Sequence, residues 1–387
     1  MTSSGWTRWL RGSAVAGVAV AALGIGLAPA RVAAIQSASP QAPAAAPAVS
    51  TLPDKLSDKE FWQIVSDFSE ENGYFQSDNL VGNERPLQNV IPALREMKRG
   101  GVYMGVAPDQ NFTYIAALEP KMAFIVDIRR GNMMAQLMYK AIFEMSADRA
   151  DFLSLLFSRK RPKDLSAKST PGELFAAYRA VEPDEQLFND NLKKINERLT
   201  KTHGFGLSEA DFTGNGGLNY VYGMFFRYGP DLTYASSGAG GGRGRGNMPS
   251  YADLQQATDM DGRNHAYLSD EEHFNILKRL EERNLLVPVV GDFAGPKALR
   301  AVGKYIADHG GTVTAYYTSN VEQYLFQNGV WPAFYTNVAT LPLDDASVFI
   351  RSARGSNLID PIRGLLTDFN EKRIQIYSDI TRRGSIK

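Results

Sequence analysis

Residues 100–132 read GGVYMGVAPDQNFTYIAALEPKMAFIVDIRRGN, and this stretch decides the predicted fold. Val102–Val106 and Met122–Ile128 are short apolar runs, rich in residues that form β-strands. A proline-aspartate pair between them is typical of the first turn of a helix, and a second helical pattern continues to Met145. Alternation of strand and helix indicates a parallel sheet with right-handed crossovers.

The same stretch predicts where a ligand binds. In open parallel sheets, ligands bind beyond the carboxyl ends of the strands. Gly105–Asn111 and Asp127–Asn132 follow the two predicted strands, so we expect both segments to face a small-molecule ligand. Asn83 and Glu84, in a polar loop before the first strand, would reach the same ligand, although hydrogen bonds within the loop explain either residue alone more simply.

A second strand–helix–strand pattern lies later in the chain. Leu285–Val290 and Thr312–Thr318 are strand-like runs separated by a helical pattern, and Val348–Ile350 predicts a further strand. Together with the first unit, these runs predict a doubly wound, mostly parallel α/β sheet with helices on both faces. Pro288 conflicts with a central strand, because proline lacks the N–H that pairs with a neighbour, and it predicts the start of a strand or a bulge.

Residues 146–284 separate the two units and are interpreted as a large insertion, helical at first and then rich in glycine. Phe212–Tyr234 combines glycine with aromatic residues, which is typical of a strand or a packed loop. Ser236–Asn247 is glycine-rich, and its Arg243 and Arg245 are candidate contacts for a phosphate or a carboxylate. An exposed loop without a ligand is the favoured interpretation, because such segments rarely form a packed core.

The beginning of the chain predicts export. Basic residues precede an uncharged run of small and aliphatic residues at 13–27, and small residues after this run provide cleavage sites. We therefore predict a signal peptide at 1–34, an Ala/Pro-rich linker at 35–56, and the α/β domain with its insertion at 57–387. The alternative is an uncleaved segment, 13–28, that anchors the exported protein in a membrane.

Composition excludes several classes of function. Lysine plus arginine (42) equals aspartate plus glutamate (42), so no overall positive charge would hold a nucleic acid. The absence of cysteine excludes disulfides, thiolate metal sites and a thiol nucleophile. The four histidines lack the spacing of metal ligands, so no metal is expected. A small molecule is the predicted partner, and a membrane would be contacted only through an uncleaved signal segment.

Two motifs resemble the class I S-adenosylmethionine-dependent methyltransferases. Gly105–Ile115, followed by the sequence IVDI at 125–128, resembles the first βαβ unit of that family. The sequence VVGD at 289–292, followed by a helix and a glycine pair, is similar to its fourth strand and the connection to the fifth. The chain is also similar to an uncharacterised bacterial family built on this Rossmann-like fold, over residues 57–351 without the insertion.

The resemblance implies roles for individual residues. Gly105 would begin the cofactor loop, Asp127 would bind the ribose of S-adenosylmethionine, and Asp292 would lie beside the methyl-transfer site as the catalytic residue. We assign further contacts to the cofactor at Asp109, Asn111 and Asn132, and contacts to the substrate at Asn83, Glu84, Arg243 and Arg245. The loop of the family has the pattern Gly-x-Gly-x-Gly, whereas residues 105–109 of this chain read GVAPD.

Two functional hypotheses follow. The first is an exported protein with a methyltransferase-like fold that binds a small nucleotide-like ligand in the cleft, with S-adenosylmethionine as the cofactor if it is an active enzyme. The second is an exported, non-catalytic binding or interaction protein that has lost the cofactor. S-adenosylmethionine is made in the cytoplasm, so the predicted export and the departure from the glycine pattern leave both hypotheses open.

Overall fold

The computed structural model describes residues 50–97, 99–236, 248–353 and 355–383 of the chain. Within these ranges, one six-stranded sheet has the order β3-β2-β1-β4-β5-β6. Strands β1 to β5 run parallel, and β6 pairs antiparallel with β5. The strands are β1 Val102–Gly105, β2 Met122–Asp127, β3 Leu286–Val290, β4 Val313–Ser319, β5 Val348–Ala353 and β6 Ser356–Pro361. The prediction of a mostly parallel α/β sheet is confirmed.

Helices connect the strands on both faces of the sheet. They are α1 Asp58–Phe68, α2 Ile91–Arg95, α3 Gln110–Leu118, α4 Arg130–Met145, α5 Arg149–Phe157, α6 Pro171–Arg179, α7 Glu185–Glu197, α8 Glu209–Thr213, α9 Leu218–Tyr228, α10 Tyr251–Gln256, α11 Glu271–Glu282, α12 Ala298–Asp308, α13 Val321–Gln327, α14 Trp331–Val338, α15 Ile362–Asn370 and α16 Tyr377–Thr381. The crossovers through α3 and α4 run in one direction along the sheet, and the crossover through α12 runs back. Right-handed connections therefore place α12 on the opposite face. None of the described helices is long and apolar enough to cross a membrane.

The folded domain begins before the predicted boundary at residue 57. Residues 50–56 were assigned to the linker, but Leu52 and Leu56 are buried in the core, and the Leu56 amide donates to the carbonyl of Arg283 at 3.0 Å. Burial of these two leucines stabilises residues 50–56 as part of the folded domain, which explains why the domain begins earlier than predicted. The predicted signal peptide at 1–34 and the remainder of the linker lie outside the described residues.

Pro288 lies in an edge strand, which resolves its conflict with strand structure. Within the described sheet, β3 pairs only with β2, where Pro288 is opposite Ile125 in a continuous register. The predicted strand start or bulge at Pro288 is therefore wrong. The resemblance of residues 289–292 to the end of a fourth strand is therefore wrong, because these residues end and follow the third strand, at the edge of the sheet. The fourth strand is Val313–Ser319, next to β1. Strand order depends on long-range pairing, which hydrophobic periodicity does not reveal.

The insertion is helical where the sequence predicted a strand or a packed loop. Phe212–Tyr234 contains the end of α8 and the whole of α9, so that prediction is wrong. The buried residues of α9 include Leu218, Val221, Tyr222 and Phe225, which recur at the spacing of one helical face. The neighbouring glycines concealed this period in the sequence.

Candidate functional site

A cleft of about 580 Å³ opens at the carboxyl edge of the sheet, where β1 and β4 lead the chain in opposite directions. Residues at the ends of four neighbouring strands line it: Val106 after β1, Asp127 in β2, Asp292 after β3, and Ser319 and Asn320 at the end of β4. This is the point at which doubly wound sheets bind ligands. The sequence predicted a ligand at this edge, and the ligand itself stays a prediction.

Two aspartates present carboxylate oxygens at this edge. Asp127 Oδ1 accepts the backbone N–H of Arg129 at 2.8 Å, and Asp292 Oδ1 accepts the backbone N–H of Ala294 at 2.9 Å. Each carboxylate thus uses one oxygen to close the turn after its own strand. No described residue donates a hydrogen bond to Oδ2 of either aspartate, and both side chains line the cleft. Two acceptor oxygens are therefore available to a ligand.

The environment of Asp127 makes its charged form costly. Burial raises the pKa of Asp127 above its usual value, because the carboxylate loses hydration, while the positive charge and the backbone amide of Arg129 oppose this change. Arg129 Nε lies 3.5 Å from Oδ1. A ligand that donates a hydrogen bond to the free oxygen would replace part of the lost hydration.

The remaining lining of the cleft is aromatic and neutral. Phe75 and Tyr324 make an edge-to-face contact with ring centroids 5.1 Å apart, and Tyr74 is 85% exposed at the same wall. Asparagine, glutamine and serine side chains supply most of the polar atoms. Among the described residues, no lysine, arginine or histidine lines the cleft. Phosphate groups would therefore meet the carboxylate of Asp292, which has no ion-pair partner among the described residues, and that of Asp127, whose charge Arg129 compensates only in part.

Residues 69–78 cross the ends of β2 and β3, and we call this segment the strap. The Glu70 amide donates to the Val290 carbonyl, and the Gly73 amide donates to the Ile128 carbonyl, both at 2.8 Å. A side chain at Gly73 would have its Cβ 2.3 Å from the side chain of Ile128, so only glycine permits this approach. The strap therefore holds its aromatic residues at the wall of the cleft.

The carboxylate of Glu70 fastens the strap to the loop after β3. It accepts the backbone N–H groups of Asp292, Lys297 and Ala298 at 2.8–3.0 Å. The last two amides belong to the beginning of α12, whose N-terminal amides otherwise lack acceptors. Glu70 therefore stabilises both the start of this helix and the loop that carries Asp292.

The loop after β1 is closed by Asn111 rather than open toward a ligand. Asn111 is fully buried, its Nδ2 donates to the carbonyls of Val106 and Pro108, and its Oδ1 accepts the Tyr103 hydroxyl. A Cβ added at Gly105 would lie 1.9 Å from Asn111 Oδ1. The side chain of Asn111 thus fills the space over Gly105, so these two predicted cofactor residues contact each other.

Glu84 is buried, and all its hydrogen bonds are to protein groups. Its Oε1 accepts the hydroxyls of Tyr317 and Ser319, and its Oε2 accepts the amides of Gln110 and Asn357. A substrate contact was predicted for Glu84, but it does not line the cleft. Its exposed neighbour Asn83, for which the same role was predicted, does.

The other predicted site residues are not part of the cleft. Asp109 is buried against α10, where its Oδ2 accepts Gln255 Nε2 at 3.0 Å, and Asn132 is buried in the first turn of α4. Arg243 and Arg245 lie outside the described residues. The structure therefore brings together Asp127, Asp292 and Asn83 of the predicted set, and their ligand contacts stay predictions.

Sequence reasoning missed the strap and α13 as walls of the cleft. Tyr74, Phe75, Asn320 and Tyr324 were not predicted to take part. One signal was available, because an adjacent pair of aromatic residues in a polar loop indicates a contact surface. The position of the loop over the sheet was not available from the sequence.

Comparison with known families places the chain in a group without an assigned activity. The model of a family described as a domain of unknown function (DUF7790) matches residues 80–204 and 242–379. The matched ranges contain all six strands of the described sheet. A comparison with curated proteins finds no match.

Proposed function

The chain belongs to the DUF7790 family, and we propose that it is an exported protein that binds a small nucleoside-like ligand in the cleft. The observation that carries this proposal is the pair of carboxylates, Asp127 and Asp292, each with one free oxygen in a cleft whose described lining contains no cation. Hydroxyl or amine hydrogens are the groups that such oxygens bind best.

The chemistry of the cleft favours a nucleoside over a nucleotide. Asp127 ends β2, and a carboxylate near this position binds ribose hydroxyls in Rossmann-like folds. The rings of Tyr74, Phe75 and Tyr324 offer apolar surface to a planar base. A phosphate would be repelled by the carboxylate of Asp292 and, less strongly, by that of Asp127 beside Arg129, whereas a neutral nucleoside or a cationic derivative would not.

S-adenosylmethionine meets only part of these requirements. Its ribose and its positively charged sulfonium suit the two aspartates. Its methionine part would need an open glycine loop after β1, and here Asn111 fills the space over Gly105. Ala107, the third residue of this loop, has a φ of 59°, a left-handed backbone that glycine adopts more readily. The loop therefore does not fit the cofactor as the resemblance implies, and we derive no methyl transfer from it.

This closed loop favours a second candidate function. A protein that keeps the fold and the carboxylate pair, without room for the methionine part, would bind its ligand without catalysis. The alternative to non-catalytic binding, a methyltransferase-like enzyme with Asp292 beside the reacting group, stays a prediction from the sequence resemblance.

A thermal-shift panel tests the proposal. The ligands are adenosine, S-adenosylmethionine, S-adenosylhomocysteine, AMP and ATP, each at about 1 mM with the purified protein. We expect adenosine to raise the melting temperature. S-adenosylmethionine and S-adenosylhomocysteine should have little effect, because the closed loop leaves no room for their amino-acid part, and the phosphates should have none. A ligand at 100 times its dissociation constant stabilises the fold by about 2.7 kcal/mol, which a melt detects readily.

Replacement of Asp127 by asparagine identifies the site of binding. We expect the fold to remain, because the amide oxygen still accepts the Arg129 amide, and affinity to fall about 10- to 100-fold, the scale of a hydrogen bond to a charged group. The exposed Asp345, replaced in the same way, is the control and should leave affinity unchanged. Absence of binding by every member of the panel, or equal affinity of the Asp127→Asn variant, would refute the proposal.

A further inference from the structure

His203 joins the insertion to the rest of the α/β domain through both nitrogens of its ring. Its Nδ1 lies 2.8 Å from Asp58 Oδ1 at the start of α1, and its Nε2 lies 2.7 Å from Glu144 Oε2 near the end of α4. His203 follows a π-helical turn, Arg198–Thr202, which continues directly from α7. Such turns are rare and often mark functional positions. The ring thus holds a turn of the insertion between two helices.

Glu144, the first partner of this ring, is an anion held between cations. Its carboxylate also bonds to Lys140 Nζ on α4 and to Arg198 Nε on the π-helical turn, both at 2.8 Å. Burial opposes ionisation, but the hydrogen bonds from His203 and Lys140 and their charges lower the pKa of Glu144 to about 2. At neutral pH, Glu144 therefore accepts hydrogen bonds and has no hydrogen to donate to the imidazole.

Asp58, the second partner, is an acceptor for a separate reason. Its Oδ1 also accepts Asn284 Nδ2 at 2.9 Å, and the same nitrogen donates to the carbonyl of Leu56 at 3.0 Å. A flip of this amide would place two oxygens together, so its orientation is fixed. The Asp58 side chain is 42% exposed, and carboxyls in contact with solvent are ionised at neutral pH. Asp58 therefore also accepts from the ring.

A neutral imidazole does not satisfy both contacts. It has one N–H and one lone pair, so one of the two carboxylates would face the lone pair at 2.7 or 2.8 Å. In the imidazolium ion, both nitrogens donate. We propose that His203 carries hydrogens on both ring nitrogens in the folded protein at neutral pH, and that this charged ring is a pH-sensitive clamp between the insertion and α1.

The charges around the ring favour this state on balance. Burial and the charge of Lys140 oppose a second ring hydrogen. The hydrogen bonds to Glu144 and Asp58, with the negative charge of Glu144, outweigh this opposition and raise the pKa of His203 above its usual value. Glu281 on α11 lies near Lys140 and Glu144, and burial raises its pKa to about 8. Glu281 therefore adds little negative charge to the cluster at neutral pH.

Loss of the second ring hydrogen would open the contact with Asp58. Glu144 is buried and keeps two other cations, whereas water would hydrate the half-exposed Asp58 in place of the ring. Phe205 stacks on His203 with centroids 5.0 Å apart and on Trp62 of α1 with centroids 5.2 Å apart. α1 leads directly into the strap. The clamp therefore lies at the start of the helix that continues into a wall of the cleft.

NMR of the histidine ring nitrogens tests the proposal directly. Long-range proton–nitrogen correlation spectra distinguish an imidazolium from either neutral tautomer, and the chain has four histidines. Asp58→Asn identifies the signals of His203, because it removes a negative charge in contact with that ring. We expect His203 to be doubly protonated at pH 7 in the parent, and to lose its second hydrogen at a lower pH in Asp58→Asn. A neutral His203 ring at pH 7 in the parent would overturn the proposal.

Urea unfolding between pH 6 and pH 9 measures the contribution of the clamp to stability. A base whose pKa is raised by folding stabilises fully below its unfolded pKa, and this contribution disappears as pH rises through the folded pKa. We expect the parent to lose this contribution and His203→Gln to lack it, because glutamine does not titrate. Other groups that titrate in this interval, Glu281 among them, contribute alike to each chain.

His309→Gln is the matched control for the unfolding experiment. The ring of His309 bonds to the backbone carbonyl of Tyr305 and contacts no carboxylate among the described residues, so this variant should keep the pH dependence of the parent. Equal pH dependence of the parent and His203→Gln would overturn the proposal. If His203→Gln does not fold, the NMR measurement on the parent and Asp58→Asn decides without it. Neither measurement needs a ligand in the cleft.

Discussion

Replacement of Glu84 by alanine tests whether this carboxylate belongs to the internal framework or to a substrate site. Glu84 accepts hydrogen bonds from four donors, namely the buried hydroxyl of Tyr317, the half-buried hydroxyl of Ser319 and the buried amides of Gln110 and Asn357. The hydroxyls can rotate toward other acceptors, whereas the amides cannot do so freely. Each buried donor left unpaired costs about 1–3 kcal/mol, so the two amides alone predict a loss of about 2–6 kcal/mol.

Glu84→Gln provides the graded comparison. Its amide oxygen can still accept the donors of Gln110 and Asn357, and its NH₂ can donate to the rotated hydroxyls. We expect about half the loss of the alanine variant, because the hydrogen bonds persist without the charge. The exposed neighbour Asn83, replaced by alanine, should change the free energy of unfolding by less than about 0.5 kcal/mol.

The assay is urea unfolding of the three variants, combined with titration of any ligand found by the thermal-shift panel. A framework role predicts a lower unfolding midpoint and an unchanged affinity for ligand when the protein is folded. The opposite result, a stability within about 1 kcal/mol of the parent with a lost affinity, would refute this reasoning. It would return Glu84 to the substrate role that the sequence suggested.

Two further predictions concern a glycine and the mature N-terminus. Gly105→Ala should lower the free energy of unfolding by more than about 3 kcal/mol, because the new Cβ would lie 1.9 Å from the buried Oδ1 of Asn111. Gly223→Ala should raise it by about 1 kcal/mol, because nothing lies within 4 Å of a Cβ there and alanine favours a helix. Chemical denaturation measures both changes, and equal effects would contradict the packing argument. If the predicted signal is cleaved, Edman sequencing of native protein should find a first residue near Arg31 or Ile35. An intact Met1 on a soluble cytoplasmic species would contradict export.

Local patterns in the sequence predicted several elements correctly. The sequence SDKE at 57–60 is typical of a capping box, and this box forms at the start of α1: Ser57 Oγ accepts the Glu60 amide, and the Glu60 carboxylate accepts the Ser57 amide. The two runs at the centre of the opening stretch became β1 and β2. Each of these features depends on residues within about one turn or one strand of each other.

The candidate site was predicted by position more than by residue. The rule that ligands bind at strand ends located the cleft and selected Asp127. The methyltransferase resemblance selected Asp292, and the polar loop before β1 selected Asn83; all three residues line the cleft. The strand-end rule also selected Asp109, and the polar loop also selected Glu84, and the structure buries both carboxyls against other elements. Residue type and spacing did not separate these two groups, because a polar side chain in a loop beside a strand has the same local sequence pattern whether it faces solvent or packs against another element.

The sequence by itself therefore determined the class of fold, the strands and most helices of its two α/β units, and the edge of the sheet where a ligand would bind. Hydrophobic period and turn residues act over a few positions, so they are readable without the rest of the chain. Only the tertiary structure decided the order of the strands, the strap across the cleft, and the burial of Glu84 and Asp109. These features depend on partners up to 273 positions away, such as Asn357 for Glu84, and contacts over that separation exist only after the chain has folded.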